Sequence, residues 1–209
     1  MISKSHLLKI VSAQLFWILI ICFVIRLIYY STLLNTQAVD TASYLNYHAN
    51  LLKGETDALR TPVYPYFIKL IGWFGIQNLI DNVITAQVII SFLSIIIFYK
   101  IVQAQYKKQA VIFAACLIYG AMLPVVNFDK LILTESLSVT FSLIFIYIIV
   151  SYLQKPTDLK AWALSLLVFI AIMLRPSFIY LLPFLIEYCF VWLPILRGRY
   201  HCCIYRLCL

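Results

Sequence analysis

The sequence predicts an all-α membrane protein, a bundle of helices that crosses the bilayer several times. Hydrophobic residues make up 64% of its 209 residues and charged residues 11%, and the mean hydropathy is +0.97. That composition is far from the one typical of soluble globular domains. The apolar residues form long runs, with only five glycines and seven prolines in the chain, and they lack the alternation of a membrane β-barrel. We therefore expect a polytopic helical bundle.

Six apolar runs approach the length of about twenty residues that one helical crossing needs. They are 11–33, 79–101, 109–127, 131–153, 159–175 and 177–196. A shorter run, 62–75, contains Pro62, Pro65 and Lys69, and we expect it to be re-entrant or interfacial. Residues 1–196 are thus predicted to form one transmembrane module.

The basic residues between these runs predict how the chain lies in the membrane. One side receives Lys4, Lys9, Lys100, Lys107, Lys108, Lys155, Lys160, Arg197, Arg199 and Arg206. Because basic loops tend to stay in the cytoplasm, we expect a multi-pass protein of the plasma (inner) membrane with a cytoplasmic N-terminus. The same distribution accounts for the net charge of +8 without a nucleic-acid partner.

Most of the acidic residues fall on the opposite, outward face. They are Asp40, Glu55, Asp57, Asp81, Asp129 and Glu135, six of the eight in the chain. Acidic residues contribute little to membrane topology, so topology does not explain why they are concentrated on the outward face. The outward face is therefore where we expect the chemistry.

A surface helix is predicted directly after the first run. Apolar residues recur at the spacing of one helical face, at Ala38, Ala42, Leu45, Ala49 and Leu52. Gly54 is a typical C-terminal stop. Asp40, near Tyr44, either caps this helix or serves as a general base for a hydroxyl acceptor.

Two arginines are predicted to face the same region. Arg60 precedes Thr61-Pro62, a signal for a helix start, and an arginine there suits a phosphate at the membrane surface. Arg175-Pro176 separates two apolar runs at the outer face and directs a second guanidinium to it. The alternative for both arginines is a snorkelling cation that anchors the chain at the interface.

The outer mouth of the 131–153 run carries Asp129, Lys130, Thr134 and Glu135. A carboxylate near a helix N-terminus is favoured by the helix dipole alone. Glu135, however, lies a full turn inside the apolar run, where an ionisable group is a functional candidate.

Together these carboxylates and arginines indicate chemistry on a lipid-linked phosphate. The arginines would hold the phosphate while one carboxylate activates the attacking hydroxyl. Because soluble nucleotide-activated sugars are cytoplasmic, an outward-facing enzyme needs a donor that the membrane delivers. We therefore expect a polyprenyl-phosphate-linked sugar donor.

The order of the motifs resembles the class C integral-membrane glycosyltransferases, in particular the protein O-mannosyltransferases and the lipid A aminoarabinose transferases. The acidic pattern after the first span is similar to Asp40, Tyr44, Ala49, Leu52 and Gly54. The R-x-P-x-Y-P-x-F segment is similar to Arg60, Pro62, Tyr64, Pro65 and Phe67. The T-E pair corresponds to Thr134 and Glu135, and the basic break to Leu174, Arg175 and Pro176.

The resemblance implies roles for individual residues. Asp40 looks like the catalytic base, Arg60 and Arg175 look like contacts of the donor phosphate, and Asp129 or Glu135 would support the site. The full predicted substrate-binding set is Tyr44, Arg60, Tyr64, Asp129, Lys130, Glu135 and Arg175. The expected reaction is inverting transfer of a sugar from an undecaprenyl- or dolichyl-phosphate carrier to a hydroxyl on a glycan, lipid or protein.

Two other functions stay open at this point. A flippase or transporter of lipid-linked glycans would need ionisable groups along the span interiors, where Glu187 and Arg26 lie. A non-catalytic remnant or assembly subunit is the other alternative, because members of the resembling family have more spans and often an outward soluble domain.

The segment 197–209, RGRYHCCIYRLCL, differs in composition from the rest and holds three of the six cysteines. We expect it to be a truncated or frame-shifted end. The chain has no C-x-x-C pair and its histidines are isolated, so the sequence predicts neither a metal site nor a cofactor.

Overall fold

The computed structural model describes residues 4–32, 40–53, 60–74 and 78–183, with side chains from residue 13 onward. Within these ranges every regular element is a helix, which confirms the predicted all-α class for the described residues. The elements are α1 (Lys4–Thr32), α2 (Thr41–Leu45), α3 (Tyr47–Lys53), α4 (Val63–Trp73), α5 (Leu79–Gln105), α6 (Gln109–Gly120), α7 (Leu123–Asp129), α8 (Thr134–Gln154), α9 (Asp158–Leu174) and a 3₁₀ helix (Pro176–Tyr180).

Three described helices are long and apolar enough to cross a membrane. They are Ala13–Thr32 within α1, Leu79–Gln105 and Thr134–Gln154. A fourth crossing results if α6 and α7, which are bent by 43° relative to each other, form one span. The described residues thus contain three or four candidate spans, where the sequence predicts about six in the whole chain.

The remaining predicted runs have different outcomes. The 159–175 run forms α9, which has 17 residues and is shorter than the other candidates. Of the 177–196 run, only the part up to residue 183 is described, and the predicted atypical tail 197–209 lies outside the described residues. The short run 62–75 forms α4, a helix of 11 residues.

The predicted 109–127 run is broken in the structure. Helix α6 ends at Gly120, and α7 starts at Leu123 with Pro124 in its first turn, where a proline costs no helical hydrogen bond. A Cβ added at Gly120 would collide with Sγ of Cys22 on α1. Glycine therefore lets α1 pack directly against the end of α6, at the point where the run bends.

The predicted surface helix forms two short helices, α2 and α3, and α2 packs on α4. Thr41 and Tyr44 are buried against the protein. Most of the predicted apolar positions are instead exposed, namely Ala42, Ala49 and Leu52. The apolar side of this segment thus faces away from the protein, which is the side that an interfacial helix gives to lipid.

Two apolar clusters hold the helices together. One contains Tyr44, Tyr64, Val83, Leu137 and Leu174, and it joins α2 and α4 to α5, α8 and α9. The other joins α1, α5 and α6. The first cluster matters for function because it positions the segments that carry Asp40, Arg60 and Glu135.

Candidate functional site

A cavity of about 240 Å³ lies at the end of the bundle where α8 begins and α9 ends. Four separate segments form its walls. The lining residues are Asp40, Tyr44, Arg60, Thr61, Leu133, Thr134, Glu135, Leu174, Arg175, Pro176 and Ser177. Five of the eight residues that the sequence predicts for the site therefore line one cavity.

Arg60 is the centre of the first charged group in this cavity. Its Nη2 lies 2.6 Å from Oδ1 of Asp40, and its Nη1 donates to the hydroxyl of Tyr44 at 3.3 Å. The guanidinium carbon also lies 4.7 Å from the centre of the Tyr44 ring, within the range of a cation–π contact. The hydrogen bond to Asp40 raises the pKa of Arg60 above its ordinary value, so Arg60 remains a cation.

Asp40 lies at the N-cap position of α2, as the first of the two sequence-based alternatives predicts, but its side chain does not cap the helix. Its backbone is helical, at φ −77° and ψ −11°, and its side chain makes no capping hydrogen bond. A capping residue usually has extended backbone angles, which aim its side chain at the first amides of the helix. The carboxylate is directed instead at Arg60, and Asp40 is about half exposed in the cavity wall.

Glu135 and Arg175 form the second charged pair. Glu135 lies in the first turn of α8, and its Oε1 is 3.1 Å from Nη1 of Arg175. Arg175 has an extended backbone, at φ −151° and ψ 119°, because the following Pro176 disfavours a helical conformation there. The second oxygen, Oε2 of Glu135, is buried and has no hydrogen-bond partner within the described part of the chain.

A hydrogen bond joins the two halves of the cavity. The hydroxyl of Thr61 donates to the carbonyl of Leu174 at 2.8 Å, across 113 positions of sequence. Because Thr61 follows Arg60 and Leu174 precedes Arg175, this bond fixes the spacing of the two arginine-bearing segments. The two guanidinium groups thus belong to segments that are held together around the same cavity.

Tyr64 lies behind the cavity and does not line it. It is fully buried and its hydroxyl donates to Oε1 of Gln87 at 2.9 Å. Its ring meets that of Tyr44 edge to face, with 4.9 Å between centres. Tyr64 therefore supports Tyr44 from the protein interior.

Asp129 and Lys130 are also placed away from the cavity. The carboxylate of Asp129 accepts from the Ser136 hydroxyl at 2.6 Å and lies 3.4 Å from Nη1 of Arg26. Lys130 donates to the backbone carbonyl of Tyr30 at 3.0 Å. These two residues tie α1 to the segment between α7 and α8.

Sequence reasoning missed two residues that organise the site. The sequence pattern assigns Thr61 only to a helix start, although Thr61 makes the bond that links the two arginine segments. Gln87 was not singled out, although it is fully buried and its amide donates to the carbonyl of Leu131 at 3.0 Å. The available signal for Gln87 was a polar amide in the middle of an apolar run, which is uncommon without a partner.

No group of three His, Cys, Asp or Glu side chains suited to a metal ion occurs in the ranges that the structure describes.

Comparison with known proteins gives one family. A family model described as dolichyl-phosphate-mannose-protein mannosyltransferase matches residues 59–204, which is most of the chain. The matched segment contains Arg60, Glu135 and Arg175, whereas Asp40 and Tyr44 precede it. No match was found among curated proteins or among solved structures.

Proposed function

The chain belongs to the dolichyl-phosphate-mannose-protein mannosyltransferase family, and from that premise we propose that it transfers a sugar from a polyprenyl-phosphate donor to a hydroxyl acceptor. The acceptor hydroxyl belongs to a glycan, a lipid or a protein on the outward face of the plasma (inner) membrane. The transfer takes place in the cavity between Asp40, Arg60, Glu135 and Arg175.

One observation supports this proposal most strongly. Two arginines and two carboxylates from distant parts of the chain line a single cavity, and each arginine is paired with one carboxylate. Guanidinium groups are well suited to the oxygens of a phosphate, which they can bind in a bidentate manner. The four side chains together thus offer both a phosphate-binding pair and a base.

The proposed reaction is a single displacement. The acceptor oxygen forms a bond to the anomeric carbon of the sugar, and the bond from that carbon to the phosphate oxygen breaks. Asp40 accepts the proton of the hydroxyl, and the polyprenyl phosphate leaves with the bonding electrons. Arg60 and Arg175 stabilise the negative charge that develops on the departing phosphate.

The ion pairs also suggest how donor binding activates the site. Asp40 is bound to Arg60 through its Oδ1 at 2.6 Å in the structure, so this carboxylate oxygen is engaged by the guanidinium. A donor phosphate competes for the same guanidinium, and in doing so it releases Asp40 to face the acceptor. Tyr44, which contacts Arg60 through both its hydroxyl and its ring, keeps the arginine at the cavity edge during this exchange.

The proposed orientation agrees with the positions of the described basic residues. Lys100 lies near the C-terminal end of α5, and Lys155 and Lys160 lie between α8 and α9 or in the first turn of α9. The cavity is built from the opposite ends of α8 and α9. If the lysine end faces the cytoplasm, the cavity faces outward, where a polyprenyl-linked donor is accessible.

The transferase proposal has more support than transport of lipid-linked glycans. Transport would need ionisable groups that line a path through the spans. Arg26, one of the two candidates, is buried and bound to Asp129, Ser91 and the carbonyl of Gly120. The other candidate, Glu187, lies outside the described residues.

The proposal predicts a large effect of Asp40→Asn. This change keeps the size of the side chain but removes the base, so sugar transfer should fall about 10²- to 10⁴-fold. The measurement uses the full chain in vesicles of native membranes, which supply the acceptors, and adds radiolabelled mannosyl polyprenyl phosphate as the donor. The label is then followed into the glycan, lipid and protein fractions. Asp81→Asn, which changes an exposed acid in the first turn of α5, is the matched control and should keep full transfer.

Two outcomes would contradict parts of the proposal. Near-normal turnover by Asp40→Asn together with loss of transfer by Glu135→Gln would assign the base to Glu135. Movement of the labelled lipid across the vesicle membrane, without any new glycosidic bond in the wild-type chain, would overturn the transferase function itself.

A further inference from the structure

Gln87 is a fully buried amide on α5 that lies behind the walls of the Asp40 cavity. Its side chain is 0% exposed, and it is not one of the residues that line the cavity. Its Oε1 accepts a hydrogen bond from the hydroxyl of Tyr64 at 2.9 Å, and its Nε2 donates to the backbone carbonyl of Leu131 at 3.0 Å. A buried amide has a desolvation cost that an apolar side chain lacks. Packing alone therefore does not explain Gln87.

The two partners of Gln87 fix the orientation of its amide. The carbonyl oxygen of Leu131 can only accept, so it selects the Nε2 side of the amide. The Oε1 side then faces Tyr64, whose hydroxyl donates to it. A buried polar network whose members are matched in this way holds its surroundings rigid. Gln87 thus holds α4, which carries Tyr64, and the turn before α8 at a fixed spacing.

The contact of Gln87 with Tyr64 leads to the first charged pair of the cavity. The ring of Tyr64 meets that of Tyr44 edge to face, with 4.9 Å between centres. Tyr44 in turn holds Arg60, through its hydroxyl at 3.3 Å and its ring at 4.7 Å. A displacement of Tyr64 would therefore remove the support of the residue that orients Arg60.

The contact of Gln87 with Leu131 leads to the second charged pair. The same carbonyl of Leu131 also accepts from the amide of Leu133 at 2.9 Å, so Gln87 binds the turn that precedes α8. Leu133 and Glu135 line the cavity, and Glu135 lies 3.1 Å from Arg175. One buried side chain is thus joined to both walls that carry an arginine–carboxylate pair.

We propose that Gln87 is a positioning residue that keeps the Arg60–Asp40 and Arg175–Glu135 pairs at the spacing that binds one donor phosphate. This inference rests on the sugar transfer proposed above, because it assigns Gln87 a part in donor binding. Small displacements of binding groups lower reaction rates strongly, so the spacing of the two arginines matters. A merely structural role would instead lower stability without a specific effect on the donor.

The test compares two variants of α5 that each lose buried hydrogen bonds. Gln87→Met keeps an unbranched side chain of similar length and removes both bonds. Ser94→Ala is the matched control, because Ser94 is also 0% exposed and its hydroxyl contacts the carbonyl of Ser91 and the hydroxyl of Tyr119, both at 2.6 Å. Neither of these partners lines the Asp40 cavity. Thermal unfolding in detergent should show both variants to be less stable than the wild type.

Only Gln87→Met should affect the donor. In the vesicle transfer assay, its KM for mannosyl polyprenyl phosphate should rise about tenfold, because the arginines no longer bind the phosphate together. Ser94→Ala should keep the KM of the wild type. The comparison of KM with the unfolding temperature separates a positioning role from a loss of stability, since both variants lose stability and one loses donor binding.

A second measurement reads the arginines without any need for activity. Phenylglyoxal modifies accessible arginine side chains, and mass spectrometry of the treated full chain gives the rate at each position. Gln87→Met should speed the modification of both Arg60 and Arg175 about threefold, because both lose part of the support that holds them to their carboxylates. Tyr64→Phe breaks only the branch that leads to Arg60, so it should speed the modification of Arg60 alone. Ser94→Ala should change neither rate.

The outcomes distinguish this inference from the proposed function. Unchanged modification of both arginines in Gln87→Met would overturn the positioning role, whatever the transfer rates. The same holds for an unchanged KM in Gln87→Met beside an active wild type, or for equal effects of Gln87→Met and Ser94→Ala. If the wild type transferred no sugar but the arginine rates followed the expected pattern, the proposed reaction would be wrong and Gln87 would still position the two pairs.

Discussion

Two arginine–carboxylate clusters occupy the same end of this bundle and differ in one physical respect. In the cavity cluster, the side chains of Arg60 and Asp40 are 25% and 47% exposed. Those of Arg175 and Glu135 are 42% and 26% exposed. In the buried cluster, Arg26 and Asp129 have exposures of 5% and 1%. The chemical groups are the same, but only the first cluster has access to a ligand.

The difference in exposure indicates different roles. A half-exposed ion pair contributes little to stability because water competes for both charges. Its arginine can therefore leave the carboxylate and bind a phosphate with little loss of stability. Removal of one partner from a buried pair is strongly destabilising, because the remaining charge is buried away from water without a counter-charge. The arginines of the cavity cluster can therefore exchange a carboxylate for a ligand, whereas the buried cluster holds helices together.

The largest expected effect comes from breaking the buried pair. Asp129→Leu leaves Arg26 buried without its counter-charge, so the free energy of unfolding should fall by about 3–5 kcal/mol. The measurement is chemical unfolding of the purified protein in detergent, followed by tryptophan fluorescence. The double variant Arg26→Met/Asp129→Leu, which removes both charges, should be more stable than Asp129→Leu. If the two variants were equally stable, the pair would not be the cause.

An intermediate effect is expected from Gly120→Ala, next to the buried cluster. The added Cβ would collide with Sγ of Cys22, and overpacking of this kind costs about 1–3 kcal/mol. Thermal unfolding in detergent should show the loss. Cys22→Ala removes the colliding sulfur, so the double variant should recover a large part of the stability lost by Gly120→Ala. Additive losses in the double variant would show that the close contact of α1 with α6 is not the constraint.

The smallest effect on stability should come from the cavity cluster. Glu135→Gln removes the charge that pairs with Arg175, and because both side chains are partly exposed, the stability should change by less than about 1 kcal/mol. Sugar transfer should nevertheless fall, since Arg175 loses the partner that positions it. Thermal unfolding and the vesicle transfer assay check the two statements separately. A stability loss as large as that of Asp129→Leu would remove the distinction between the clusters.

The sequence predicted the cavity cluster better than it predicted its neighbours. Asp40, Arg60, Glu135 and Arg175 each carry a local signal, and all four line the cavity. Arg60 and Arg175 precede a proline by one or two positions, Glu135 lies inside an apolar run, and Asp40 belongs to the amphipathic segment after the first run. Asp129 and Lys130 carry the same kind of signal and lie only a few positions from Glu135. They point elsewhere because they lie at the end of α7, where they contact Arg26 and Tyr30 of α1, whereas Glu135 lies on α8.

The sequence by itself determined the helical class, the membrane character and the order of most helices. It also identified the charged residues that are candidates for the site. These are local properties, since the length of an apolar run and the nature of its end residues suffice to predict them. The tertiary structure decided which charges face each other. The bond from Thr61 to the carbonyl of Leu174 crosses 113 positions, and the contact of Arg26 with Asp129 crosses 103. Such partners depend on how helices pack, and packing results from the summed contacts of the entire bundle, which no spacing within one segment contains.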